Sequence, residues 1–355
     1  MKNIIYSDAL NFSMKSILEK NEKSVILGQG VSDHKGIFGS TTGLTDQFGS
    51  NRVIDVPLSE EAITGIGLGL SLNGYYPIMT HIRADFSFLA MNQIINLFAK
   101  YKYMYGGQFS VPGLIRLVVG RSWGQGAQHS QSPQSLFSHI PGLTVIMPSN
   151  SLDVIQQYKY ASENYDSLVI SIEHRLLYDL EFVCNEDVYD LDSLQSPWGT
   201  KIKRVGTDIT IIATSIMVLE ALRASEFLSE NYEIECEVLD LGSPSHPDRQ
   251  VILESLGKTR KLIVADTSWS AYGVAAEIAR IVVESNPNIL NSPMRSVTTV
   301  ATPCPTGKSL EDIFYPSLRD LTSAVLQVID KKFDNVKLSS DLSFRDYYIK
   351  FKGPF

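Results

Sequence analysis

Apolar residues along the chain fall into two kinds of run. Short continuous stretches ending in turn-forming residues predict buried strands: SVILGQG (24–30), GLIRLVVG (113–120), TVIMPSN (144–150) and SLVISIEH (167–174). Between the last two, SLDVIQQYKYASENY spaces Leu152, Ile155, Tyr158 and Ser162 along one helical face. A second series repeats the pattern. DITIIATS (208–215) leads into the helix MVLEALRASEFLSENY and the strand ECEVLDLG (235–242), and KLIVADTS (261–268) precedes the helix YGVAAEIARIVVES and the strand RSVTTVA (295–301). Strand–helix alternation of this kind predicts an α/β fold, each series building a mostly parallel sheet with helices on both faces.

The segment between the two series changes character. CNEDVYDLDSLQSPWGTKIK (184–203) is acidic and then carries Pro197 and Gly199, so residues 186–203 are read as a linker between domains at 1–185 and 204–332. Residues 333–355 belong to neither pattern and are read as a docking tail. A length of 355 residues suits two such domains.

Composition removes several classes of function. The net charge is −8 and no run of Lys and Arg occurs, which speaks against nucleic acid or an anionic membrane surface as partner. KYKYMY (100–105) is basic and aromatic but holds two lysines, and is read as a helix end with its exposed edge. No apolar stretch approaches the roughly 20 residues that span a bilayer. The amphipathic N-terminus lacks a signal-peptide core. Cys184, Cys236 and Cys304 are odd in number and scattered, against a disulfide framework or a thiolate zinc site, so a cytoplasmic protein is expected.

Two stretches carry candidate chemistry. GRSWGQGAQHSQ (120–131) surrounds His129 with glycine and short polar residues, a backbone that implies close approach of another group. A solitary histidine is usually structural, as His139 in FSHIPGL is read to be; Gln128, Ser130 and Gln131 move His129 toward function. No pair among the six histidines has metal-ligand spacing. In VIDVPLSEEAITGIG (53–67), Pro57 and Ser59 introduce a helix with Glu60 and Glu61 in its first turn. The helix macrodipole alone accounts for both acids, and a buried acid aimed at a ligand is the alternative. GIGLGLSLNG (65–74) is not a dinucleotide fingerprint and reads as helix packing; TPCPTGKS (302–309) has Thr302 where a phosphate loop needs glycine.

RVIDVPLSEEAITGIGLGL, ADFSFLAMNQIIN, YMYGGQFSVPGLIR, GAQHSQSPQSLFSHIPGLTVIMPSN and EHRLLY follow one another in this order. Together they resemble the β subunit of the thiamine-diphosphate-dependent decarboxylase component of 2-oxo acid dehydrogenase complexes. GTDITIIATSIMVLEAL, EVLDL, GVAAEIA and TPCPTGKSLEDIFYPS are similar to the transketolase-like C-terminal domain of that family. The resemblance covers about residues 1–330. It implies an N-terminal pyrimidine-binding domain and an α2β2 heterotetramer with thiamine diphosphate held between subunits. The diphosphate and Mg²⁺ would be bound mainly by an α subunit through a G-D-G…N motif that this sequence lacks. It further implies Glu60 as the carboxylate on ring nitrogen N1′, Phe86 as the ring stacked on the pyrimidine, and His129 as the histidine beside the substrate. The reaction implied is decarboxylation of a 2-oxo acid with transfer of the acyl unit, to a lipoyl acyltransferase where one is present.

The sequence departs from that family in four places. Gln29 and Asn92 stand where acids of a tunnel between paired active sites are usual, so the two sites are expected to act more independently. Ser245 in GSPSHPD replaces a common arginine, and the tail at 333–355 runs past the usual end; both bear on docking of an acyltransferase. A potassium site near the equivalents of Gly113 and Ala161–Asp166, present in some relatives, is left open because Asn164 replaces the acid expected there. The rival readings are a split transketolase-like ketol transferase, disfavoured by few basic residues near His129 in sequence, and a non-catalytic scaffold subunit.

Overall fold

The computed structural model describes residues 2–120, 124–184 and 198–332. Residues 186–197 of the expected linker and the tail at 333–355 lie outside these. The described chain divides into two compact units.

The first unit runs through β1 (Lys2–Ile5), the helix Tyr6–Lys20, β2 (Ser24–Gly28), β3 (Val53–Asp55), the helix Glu60–Leu72, β4 (Tyr76–His81), β5 (Gly113–Val119), β6 (Thr144–Ile146), the helix Ser151–Glu163, β7 (Leu168–His174) and β8 (Glu181–Cys184). Six of the strands form one sheet in the order β3-β2-β4-β5-β7-β6, every neighbouring pair parallel. Every residue of β2, β4, β5 and β7 is buried, as expected of strands covered on both faces. The remaining two, β1 and β8, pair antiparallel as a separate ribbon.

Helix packing follows local chemistry. Asn150 caps the helix Ser151–Glu163 by accepting the Asp153 N–H at 2.9 Å. Its inward face is Val154, Ile155, Tyr158 and Ala161; Ser162, expected on that face, is only half-buried. The glycines of GIGLGL lie inside the helix Glu60–Leu72, and a Cβ at Gly67 would stand 2.2 Å from the Met79 sulfur of β4. Glycine there lets the helix lie close on the sheet.

The interior of this unit holds an ion pair. The Arg116 guanidinium on β5 donates twice to the Glu173 carboxylate on β7, at 2.8 and 2.7 Å, and both side chains are fully buried. Arg116 also donates to the Ser40 hydroxyl at 3.0 Å, while the Tyr158 and Tyr178 hydroxyls donate to Glu173. Burial and the Glu173 charge push both tyrosine hydroxyls well above their ordinary pKa. The network ties β5, β7, the helix Ser151–Glu163, the segment after β7 and the loop at 36–42 into one unit.

The second unit comprises residues 124–127 and 199–332 of the described chain. It contains β9 (Lys201–Arg204), β10 (Ile209–Ala213), the helix Ile216–Tyr232, β11 (Cys236–Asp240), β12 (Leu262–Ala265), the helix Val274–Ser285, β13 (Arg295–Val297) and the helix Leu318–Ile329. The sheet order is β13-β12-β10-β11-β9, parallel except for β9. Strand β9 begins inside the stretch read as linker. Among the described residues no helix is long and apolar enough to cross a membrane.

Replacing Arg116 alone by Met leaves Glu173 buried without its counter-charge and is expected to destabilise the chain by about 3–5 kcal/mol. Arg116→Met combined with Glu173→Leu should recover a large part of that. Urea unfolding of the three proteins checks it; equal losses in the single and double variants would mean that the pair is not a coupled unit.

Candidate active site

Strand order locates the site. The chain leaves β2 for β3 on one side, then crosses to β4 on the other side of β2. Connections therefore depart in opposite directions at the carboxyl ends of β2 and β4, and a crevice opens there. Gly28 closes β2 at this point. A Cβ on it would lie 2.8 Å from Val31 Cγ1 and 3.0 Å from the Thr80 carbonyl oxygen, so a side chain would push the two strands apart.

A pocket of about 270 Å3 occupies the crevice. Glu60, Phe86 and His129, drawn from three separate stretches of sequence, all line it. Glu60 opens the helix Glu60–Leu72 just after Val56, Pro57 and Leu58, which form part of the wall, and is half-buried. Glu61 is exposed, accepts the Gln93 amide at 3.0 Å and does not line the pocket. Of the two glutamates, Glu60 is thus the one that lines the pocket. Phe86 sits on the 3-10 turn Ala84–Ala90 with 38% of its surface exposed. The His129 ring meets it edge-on, with centroids 5.3 Å apart and planes at 82°.

The preceding residue on that turn, Asp85, positions the histidine loop. It is buried and accepts both the side-chain amide of Gln131 at 2.8 Å and its backbone N–H at 3.3 Å. Burial raises its pKa, and the two Gln131 bonds act against that rise.

The glycines before His129 have another occupation. Gly124 and Gly126 carry φ of +65° and +70°, and a Cβ on Gly126 would stand 2.5 Å from Thr306 Cγ2. They belong to the second unit and allow close approach to TPCPTGKS.

Two pocket residues escape the sequence reading. His81 ends β4 and is buried, and its Nε2 has no hydrogen-bond partner. Burial alone pulls its pKa down to about 4, so the ring is neutral near pH 7. Arg83 lies two residues on; its Nη1 donates to the Ile82 carbonyl at 3.0 Å and its guanidinium lies 5.6 Å from the Phe38 ring centroid. Arg175 covers the same ring at 4.6 Å. Burial and the Arg175 charge both lower the Arg83 pKa. The available signal was THIRAD, polar residues interrupting an apolar strand just before ADFSF.

Of the two amides at the positions where the resemblance leads one to expect acids, Gln29 lines the pocket and Asn92 does not. Asn92 is exposed and accepts from the Asn96 amide at 3.0 Å. Near the position considered for potassium, the Lys102 ammonium donates to Asp166. Among the described residues no group of three His, Cys, Asp or Glu side chains is placed to hold a metal.

The chain is similar to known proteins along nearly its whole length. Residues 2–180 match the transketolase pyrimidine-binding domain and residues 199–321 the transketolase C-terminal domain. The chain is 33% identical over 329 residues to the mitochondrial pyruvate dehydrogenase E1 component subunit beta of Saccharomyces cerevisiae, covering 92% of this chain and 89% of that protein. It is 36% identical over 324 residues to the Bos taurus protein of the same name, covering 91% and 90%. Against acetoin:2,6-dichlorophenolindophenol oxidoreductase subunit beta of Bacillus subtilis it is 35% identical over 339 residues, covering 92% and 97%. A solved split-gene transketolase, an inactive β4 tetramer, shares the fold with a TM-score of 0.73 at 22% identity, covering 93% of this chain and 99% of that one.

The class is thus a two-unit transketolase-like chain with a pyrimidine-binding domain and a pocket at its sheet's switch point. Within that class, the chain belongs to the family of E1 β subunits of 2-oxo acid dehydrogenases.

His81 makes the fold sensitive to acid in a defined direction. Its pKa is about 4 in the folded chain against 6.5 when exposed, so unfolding takes up a proton between those values. Stability is full above about pH 6.5 and falls by about 3 kcal/mol as pH drops toward 4. His81→Gln should flatten that limb of the stability–pH curve; an unchanged slope in denaturant titrations from pH 7 to 4.5 would assign the acid sensitivity elsewhere.

Proposed function

We propose that this chain is the β subunit of an α2β2 thiamine-diphosphate enzyme that decarboxylates a 2-oxo acid and passes the acyl unit on, to a lipoyl group of an acyltransferase. The observation that carries the proposal is the meeting of Glu60, Phe86 and His129 in one pocket of a pyrimidine-binding domain. The names of its relatives, pyruvate dehydrogenase E1 and acetoin oxidoreductase β subunits, support the reaction class.

The pocket suits an aminopyrimidine. It offers one carboxylate, one partly exposed ring and walls of Val56, Pro57, Ile63 and Met79. Thiamine diphosphate, when bound, supplies the electron sink that a departing carboxyl group requires. Glu60 would hold a proton at the ring nitrogen N1′, and Phe86 would stack on the ring face. His129 would hold and move a proton at the substrate oxygen, a task suited to imidazole near neutral pH. Its edge contact with Phe86 and the Asp85–Gln131 bonds hold it in place for that role.

The diphosphate and Mg²⁺ are assigned mainly to the α subunit. Leu58, Leu89 and Ile66, on or beside the elements that carry Glu60 and Phe86, are 80%, 61% and 52% exposed and offer that subunit an apolar contact. Cys184, Cys236 and Cys304 are buried and form no disulfide, which fits a reducing compartment, and the cytoplasm is the proposed location. Gln29 at the pocket wall supports more independent action of the paired sites.

Glu60→Gln in the reconstituted α/β pair should lower cofactor-dependent CO₂ release from pyruvate and branched 2-oxo acids by about 10²-fold or more, with assembly unchanged by size-exclusion chromatography. Unaltered turnover would favour a scaffold subunit. Ketol transfer from a ketose phosphate without CO₂ release would favour the transketolase-like reading.

A further inference from the structure

We infer that Phe38 is a positioning residue of the pocket: its ring holds the Arg83 guanidinium to one side, so that Arg83 contributes a wall to the pocket while its charge stays off Glu60. The inference deepens the function proposed above and rests on it.

The backbone leaves its ordinary range to present this ring. Residues 36–39 all carry positive φ, +32° at Gly36, +41° at Ile37, +57° at Phe38 and +91° at Gly39. Glycine accepts such angles freely, and the two flanking positions use it. A Cβ on Gly36 would also lie 2.5 Å from the Thr42 nitrogen. For a β-branched isoleucine and a phenylalanine the left-handed region is costly, and it persists only where the surroundings over-determine it. Here the Gly39 N–H donates to the Lys35 carbonyl at 2.7 Å and the Thr41 N–H to the Gly36 carbonyl at 2.9 Å, while Ile37 is buried. Ser40, next in the chain, accepts from the buried Arg116 at 3.0 Å.

The ring so presented is a platform for cations. Arg83 lies 5.6 Å from its centroid and Arg175 4.6 Å, both within range of a cation–π attraction. Tyr178, whose hydroxyl donates to the buried Glu173, meets the same ring edge-on at 6.0 Å. Arg175 is tied in turn to Asp179 at 3.1 Å. Arg83 feels charges of both signs: Arg175 disfavours its ionised form and Asp85 favours it. Burial and Arg175 prevail, and its pKa falls. Burial and charge together therefore work against a guanidinium at this spot. The face of Phe38 and the Ile82 carbonyl, at 3.0 Å, are among the groups that hold it there.

The consequence concerns Glu60. Arg83 and Glu60 line the same pocket of about 270 Å3, small enough for a long side chain on one wall to reach the other. A guanidinium released from Phe38 would find there a carboxylate that matches its fork, and would favour the ionised form of that carboxylate. Glu60 paired in this way could not hold the proton that the aminopyrimidine nitrogen requires of it. With the guanidinium kept on the ring, Glu60 meets an aminopyrimidine without a competing cation.

The test uses the chain reconstituted with its α subunit and reads thiamine diphosphate binding by calorimetry, without turnover. Phe38→Leu is expected to weaken binding about tenfold. Phe38→Tyr keeps the ring and can carry its hydroxyl to solvent from this half-buried position, so binding should stay within about threefold of wild type. The deciding comparison repeats Phe38→Leu in an Arg83→Met background, where no guanidinium can reach Glu60. There the substitution should change binding by less than about twofold relative to Arg83→Met alone. A loss of the same size in both backgrounds would mean that Phe38 supports the turn and not the placement of Arg83, and the inference fails. It fails equally if Phe38→Leu binds the cofactor as wild type does, and in both cases the proposed function stands. Phe38→Met replaces Phe38→Leu if the latter does not assemble with the α subunit; failure of both to assemble, whichever residue is at position 83, marks a structural role and also overturns the inference. If the wild-type complex binds no thiamine diphosphate, the proposed function itself fails and takes the inference with it.

Discussion

The arrangement of the pocket depends on the close parallel approach of β2 and β4 at Gly28. The two strands hand the chain on in opposite directions, and nothing larger than a hydrogen fits between Gly28, Val31 and the Thr80 carbonyl. Because the strands stay together, the helix bearing Glu60 and the turn bearing Phe86 rise on either side of a single crevice. Gly67 continues the same constraint one layer out, by letting the helix Glu60–Leu72 settle against Met79. The carboxyl ends of two central strands thus fix the positions of groups supplied by a helix, a 3-10 turn and a loop, the usual division of labour in open α/β folds.

How much of this was legible beforehand varied by element. The long apolar runs of β2, β5 and β7 announce themselves, because strands buried on both faces need continuous apolar sequence. Strand β4, which carries Met79, Thr80 and His81 of the pocket, does not: Pro77 denies it a backbone donor and Thr80 and His81 break its apolar run. Strand β3 is three residues long, and β9 was hidden in a stretch whose acidity and proline suggested a linker. Spacing alone placed Glu60 and Glu61 in a first helical turn and could not choose between them, since the choice depends on which way the helix lies on its sheet. The roles proposed for Glu60, Phe86 and His129 come from family resemblance, because sites assembled from distant stretches leave no periodic trace. The glycines before His129 read as a place of close approach to a ligand, and the group that Gly126 approaches within the chain is Thr306.

Charge is distributed across the pocket with some economy. One acid, Glu60, faces inward, while Glu61 one residue later turns out to solvent and Gln93. Asp85 lies behind the wall and spends its acceptors on Gln131, so its carboxylate orders the histidine loop. The neutral His81 ends β4 and the cationic Arg83 lies two residues beyond it, and both line the pocket with Glu60. Such a cleft has polarity as well as shape, and a bound molecule is oriented by both.

The buried pair of Arg116 and Glu173 also governs how the chain can drift over generations. Either residue, lost alone, strands a charge in the driest part of the unit, with Ser40, Tyr158 and Tyr178 left facing it. The two positions are therefore locked in step: a lineage leaves this arrangement by exchanging both at once, or by crossing a valley in which the protein barely folds. Among descendants of one ancestor, that makes the pair a marker of shared ancestry that persists even where the pocket itself has been retuned.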